Sequence, residues 1–152
     1  MRCTHSNGIA YDIIKKRLSV INSEIAKVLS NIADFEVFFQ EDGRKLDVLI
    51  KHPKHDPRPI EMGSGAEKTL AAMGIRLALL SISSLPKGNI FILDEPGTAL
   101  DAENMEGFIR MLDLIKAYFK TVILISHVDS LKDIVDTEIT IDKIGGFARV
   151  SQ

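Results

Sequence analysis

The sequence predicts an α/β domain with a parallel sheet at its core, flanking β-hairpins and an N-terminal coiled-coil stump. Three observations carry this. Asn89-Ile-Phe-Ile-Leu-Asp94 is an uncharged apolar strand that runs into two adjacent carboxylates, Asp94 and Glu95. A second apolar strand, Thr121-Val-Ile-Leu-Ile125, follows a helical segment from Glu103 to Phe119 whose inner face carries Phe108, Met111, Leu112 and Ile115. Strand, crossover helix and strand in that order give parallel pairing, and strands buried on both faces need such continuous apolar runs. Finally, Tyr11, Ile14, Leu18, Ile21, Ile25, Val28 and Ile32 alternate steps of three and four, the a/d seam of a coiled coil.

The seam covers about three heptads, so residues 1–33 are expected to be a stump helix and residues 34–152 a single domain. An ordinary amphipathic helix packed on its own domain has the same pattern. Phe35 to Phe39 and Leu46 to Ile50 flank Glu41-Asp42-Gly43, which reads as a hairpin around an Asp-Gly turn. Lys51 to Pro59 holds three prolines and two histidines and is expected to be a solvated loop, its Lys51, Lys54 and Arg58 being candidates for phosphate contact. Ser64 followed by Glu67 is a capping box, which starts a helix there. Leu70, Met73, Leu77 and Leu80 line one face of that helix and Ala71, Ile75, Ala78 and Ile82 widen it, so it is largely buried. Pro86-Lys-Gly88 stops the helix, and Glu138 to Asp142 with Phe147 to Val150 around Gly145-Gly146 closes the chain as a hairpin.

Two acids at the end of a buried strand are costly unless they meet a cation or a reacting water. Asp94-Glu95 has the shape of a Walker B segment, in which Asp94 holds Mg²⁺ through water and Glu95 polarises the water that attacks a γ-phosphate. Taken alone, a core strand followed by a solvated acidic turn gives the same pattern. Three further segments accompany it. Leu100-Asp101 completes Asp-Glu-Pro-x-x-x-Leu-Asp, a Walker B and D-loop arrangement; Met62-Gly-Ser-Gly-Ala-Glu-Lys68 looks like an ABC signature; and Ser126-His127 at the end of the second strand looks like a switch histidine. The chain has no Gly-x-x-x-x-Gly-Lys-Ser/Thr loop, because Glu67 stands where the second glycine of Gly63-Ser-Gly-Ala-Glu-Lys-Thr69 is needed and no apolar strand feeds it. Walker B, signature and switch histidine without Walker A make half of a head.

This arrangement resembles the C-terminal lobe of the SbcC/Rad-fifty group in the SMC superfamily, the C-terminal half of an ABC-type P-loop ATPase head split by a long coiled coil. The resemblance runs from about Ile9 to the end, rests also on Gly74-Ile-Arg76-Leu-Ala-Leu79 in the signature helix, and extends to phage SbcC-like recombination subunits. It implies ATP and Mg²⁺ as cofactors. By matched position, Ser64 contacts the γ-phosphate across a dimer of heads, Gly65 allows close backbone approach, Ala66, Glu67 and Lys68 continue the motif, and Asp101 communicates between the two sites. Asp94 is the metal ligand, with Glu95 and His127 the catalytic pair; Arg76 matches an arginine that exchanges salt bridges as the lobes rotate. Ala66 replaces a glycine and Gly97 a threonine of the commoner pattern. The partners implied are an N-terminal Walker A lobe of the same protein, a second head, an SbcD-like nuclease and DNA through the assembled complex, with activity only once the Walker A lobe is supplied. Rivals are another SMC or RecN-like ATPase head, and a non-catalytic dimerisation module.

Composition bounds this reading. The 152 residues, 45% hydrophobic and 26% charged, suit one domain with an adequate core. One cysteine, Cys3, excludes an internal disulfide and fits a cytoplasmic protein. There is no apolar run of the ~20 residues a membrane span needs, and no signal-peptide core. The net charge of -2 makes any DNA contact local or the work of partner chains. Cys3, His5, His52 and His55 match no firm zinc spacing.

Overall fold

The computed structural model describes residues 9–42, 45–96 and 100–151. Cys3, His5, Gly43 and Gly97 lie outside them. Helix α1 (Ile9–Leu29) leads into an antiparallel sheet of β1 (Glu36–Glu41), β2 (Leu46–Lys51) and β3 (Arg58–Pro59). A short 3₁₀ turn (Ile60–Met62) and helix α2 (Gly65–Ile82) follow. Strand β4 (Ile90–Asp94), helix α3 (Ala102–Tyr118) and strand β5 (Thr121–Ile125) form the expected crossover unit, with β4 and β5 parallel and Asp94 in register with Ile125. A second 3₁₀ turn (Asp129–Ile134) precedes the closing hairpin of β6 (Thr140–Ile144) and β7 (Phe147–Ser151). Gly145 and Gly146 have φ of 60° and 85°, the left-handed pair that a two-residue hairpin turn demands and glycine supplies without steric cost.

One core joins the elements up to the second 3₁₀ turn, while both strands of the closing hairpin are exposed throughout. Leu70 and Leu77 of α2 pack with Phe108, Met111 and Ile115 of α3, and Phe91 of β4 meets Phe119 with ring centroids 4.8 Å apart. Helix α1 enters the same core at its C-terminal end, where Ile25 and Leu29 are buried while Ile13 and Val20 are exposed. Leu29 lies over Gly74, where a Cβ would come 2.7 Å from its Cδ2. The helix ends at Leu29, not at Ile32 as the seam suggests: the amides of Ile32 and Ala33 both bond back to the Leu29 carbonyl, closing a turn. Ile32 reaches the core from that turn, and its carbonyl oxygen lies 2.3 Å from where a Cβ on Gly107 would sit. Only glycine lets α3 approach the turn so closely.

The segment from Lys51 to Pro59 also differs from expectation. Lys51 belongs to β2, and Arg58 and Pro59 pair with Ile50 and Leu49 as a two-residue edge strand. Proline suits that position because an edge strand can dispense with a ladder donor.

The parallel pair is covered on one face only. Phe91 and Leu93 point into the core, whereas Ile90, Ile92, Ile123 and Ile125 are 58, 55, 43 and 49% exposed. Parallel strands are ordinarily covered on both faces, so four exposed isoleucines on one face mark a surface shaped for another layer. In the closing hairpin Ile141, Ile144, Phe147 and Val150 are also exposed. Among the described residues, no helix is long and apolar enough to cross a membrane.

Candidate functional site

The predicted site residues fall into two groups. Asp94, Glu95 and His127 gather at the C-terminal edge of the parallel pair, where ligands bind in open α/β sheets. Strand β4 ends at Asp94, and the Glu95 amide donates to the Ile125 carbonyl at 2.9 Å, extending the β4–β5 pairing by one residue. Glu95 has φ of 48°, the one non-glycine residue with positive φ among those described. Such a conformation costs of order 1–3 kcal/mol and persists where the surroundings over-determine it. Here it turns the carboxylate toward β5, where its Oε2 lies 2.8 Å from His127 Nδ1. An ionised carboxylate only accepts, so the bond puts a proton on Nδ1, fixes the ring and leaves Nε2 for a further partner. Asp94, Glu95 and His127 are all exposed, on the edge next to the uncovered isoleucines.

The second group is the start of α2. Ser64 is the N-cap, with its Oγ accepting from the Glu67 amide at 3.2 Å while Glu67 Oε2 accepts from the Ser64 amide at 2.6 Å. This is the capping box read from the sequence. It accounts for the amides of Ser64 and Glu67 and not for those of Gly65 and Ala66, the other two at the positive end of the helix. Ala66 is buried in the first turn and Lys68 continues the helix, its amide bonded to the Ser64 carbonyl at 3.0 Å. Glu67 is further held by two residues that sequence reasoning assigned to a solvated loop. His52 Nε2 donates to Oε1 at 2.6 Å, and Arg58 Nη2 donates to Oε1 at 3.1 Å and to Oε2 at 3.3 Å. Their separations of fifteen and nine residues from Glu67 leave no periodic trace in the sequence.

Asp101 caps α3, accepting from the Asn104 amide at 2.9 Å and from its side-chain nitrogen at 2.7 Å. Asn104 shares with Ser64, Glu67 and His52 the wall of a cleft of about 570 Å³. The start of α2 and the first turn of α3 thus border one depression. Arg76, on the exposed side of α2, stacks its guanidinium 5.7 Å from the centroid of Phe91.

Burial pushes the Glu67 carboxyl up, but the Ser64 amide, His52 and Arg58 outweigh it and hold the group below its ordinary value of 4.5. In the acid range the folded chain therefore binds fewer protons here than the unfolded chain, and stability rises with pH. The contribution is complete above pH 4.5 and is lost as pH falls through the lower folded value. Melting curves from neutral to acid pH should show wild type losing an advantage over Glu67→Gln below that point; parallel curves would refute the assignment.

No family model matches the chain. An uncharacterized protein of Acanthamoeba polyphaga mimivirus is 30% identical over 160 residues, an alignment covering 95% of this chain and 12% of that protein. The DNA double-strand break repair Rad50 ATPase of Methanopyrus kandleri is 29% identical over 143 residues, covering 91% of this chain and 16% of the ATPase. The chain thus spans well under a fifth of the length of these relatives. Among solved structures, a chain from work on ATP-driven dimerization and DNA-stimulated activation of SMC ATPases superimposes with a TM-score of 0.72 at 20% identity, covering 92% of this chain and 87% of the other. At that identity the likeness speaks for the fold.

Proposed function

Since the chain belongs to the SMC/Rad50 superfamily and has the fold of its ATPase heads, we propose that it is the C-terminal lobe of an SbcC-like head that hydrolyses ATP once a Walker A lobe is added. The observation that carries this is the Glu95–His127 pair, held at 2.8 Å on the C-terminal edge of a parallel sheet that is open on one face. In this reading Glu95 accepts a proton from the attacking water while His127 orients it. The carboxylate, with about four acceptor positions, can serve the histidine and a water together. Asp94 presents a hard oxygen donor beside them, which suits Mg²⁺ held by one or two carboxylates together with water and phosphate. When bound, the ion neutralises charge on the transferring phosphoryl group.

Residues 1–33 then form the root of the coiled coil and residues 34–152 the lobe, with the last turns of α1 built into the lobe's core. The exposed isoleucine face accepts the Walker A lobe of the same protein, whose strands complete the sheet. Ser64, with Gly65, Ala66, Glu67 and Lys68, faces the γ-phosphate of a second head, and Asp101 communicates between the two sites of the dimer. A hydroxyl that accepts from the Glu67 amide still has its own proton to donate to a phosphate oxygen. An SbcD-like nuclease on DNA ends is the partner such a head gates, in the cytoplasm. The likeness to SMC heads favours, as a second reading, a chromosome-organising head with the same catalytic edge. Co-purification with a nuclease supports the first reading, and association with a protein like ScpA, to which an Smc head of Pyrococcus furiosus is bound, the second.

The isolated chain lacks the phosphate-cradling loop and its lysine, so calorimetry with Mg-ATP is expected to show only weak binding and no turnover. Adding the separately produced Walker A lobe should restore both. Micromolar affinity in the pure chain alone, or no ATPase activity after complementation, would overturn the proposal.

A further inference from the structure

We propose that His52 and Arg58 are positioning residues of the signature turn, holding the Glu67 carboxylate so that it braces the Ser64 amide and does not repel an incoming phosphate. The inference rests on the reading of Ser64 as a phosphate contact.

A carboxylate 2.6 Å from the Ser64 amide occupies the end of the helix at which the nucleotide's anion is to arrive. A helix N-terminus favours one anion, and a second beside it meets like-charge repulsion. Glu67 is buried, so its charge is poorly screened by solvent. Arg58 sets a permanent positive charge against it, and the His52 hydrogen bond at 2.6 Å takes up Oε1 from another direction. The histidine is itself braced, with Phe35 at 5.6 Å and His55 at 6.5 Å between ring centroids. Gly63 lets the turn close over the carboxylate: a Cβ there would lie 3.0 Å from the Ile60 carbonyl oxygen and 3.2 Å from Glu67 Oε2. His52 follows β2 and Arg58 opens β3, so the antiparallel sheet and helix α2 are locked together through one carboxylate.

The test uses Arg58→Gln, His52→Gln and Arg58→Lys, each in the chain alone and in the head assembled with its Walker A lobe. An amide bonded to an ionised carboxylate resonates downfield, so the Ser64 amide proton should move upfield in both glutamine variants while melting curves confirm that the fold is kept. In the assembled head, the ATP concentration for half-maximal dimerisation should rise roughly tenfold, with nucleotide binding within one head unchanged. Arg58→Lys should recover most of this loss, because one nitrogen, Nη2, straddles both carboxylate oxygens and an ammonium can do the same. An unmoved Ser64 resonance, or normal dimerisation in both glutamine variants of a head whose wild type dimerises, overturns the positioning role. A wild-type head that does not dimerise on ATP overturns the functional reading beneath it.

Discussion

Glu95→Gln in the head assembled with its Walker A lobe is expected to reduce ATP turnover by at least about a hundredfold while leaving ATP-driven dimerisation intact or stronger. The substitution keeps the length and planarity of the side chain. Its amide oxygen still accepts from His127 Nδ1, so the contact now seen at 2.8 Å survives. What disappears is the basic oxygen that takes the proton of the attacking water. Because Glu95 also sits at φ of 48°, a glycine substitution would relax the backbone and confuse loss of base with loss of geometry; glutamine separates them. Single-turnover hydrolysis, with dimerisation followed by light scattering, measures both quantities. Turnover within a few-fold of wild type would show that Glu95 is not the base, and joint loss of turnover and dimerisation would indicate a structural role instead.

The elements that position this edge were legible because each is encoded locally. The apolar run into Asp94-Glu95, the periodic α3 and the β5 run specify strand, crossover and strand, and the parallel register follows. The capping box at Ser64 was readable for the same reason, since its partners are three residues apart. Other features arise from contacts distant in sequence. The left-handed backbone of Glu95 is imposed by Ile125 and His127, some thirty residues on, and nothing in the Asp-Glu-Pro string announces it. The end of α1 at Leu29 is fixed by the turn that nests against Gly107. Lys51 to Pro59 has the composition of a loop, yet Arg58 and His52 turn inward because the Glu67 charge is there to be met. Charge pairing of this kind overrides what local composition suggests.

Ser64→Arg separates a cross-subunit phosphate contact from a plain helix cap. If the hydroxyl serves only the Glu67 amide, its loss costs about 1 kcal/mol of stability and nothing else. If a second head's nucleotide docks at this turn, a long cation in the same place fills the approach and ATP-driven dimerisation is expected to fall below detection, while nucleotide binding within one head stays near wild type. The Glu67 carboxylate, already engaged by His52 and Arg58, offers the new guanidinium a nearby partner, so the variant is expected to fold. Light scattering of the assembled head with and without a non-hydrolysable ATP analogue, beside a melting curve of the same sample, reads both effects. Dimerisation that persists in a slightly less stable variant would assign Ser64 to the cap alone and remove the ground for cross-subunit ATP binding at this turn.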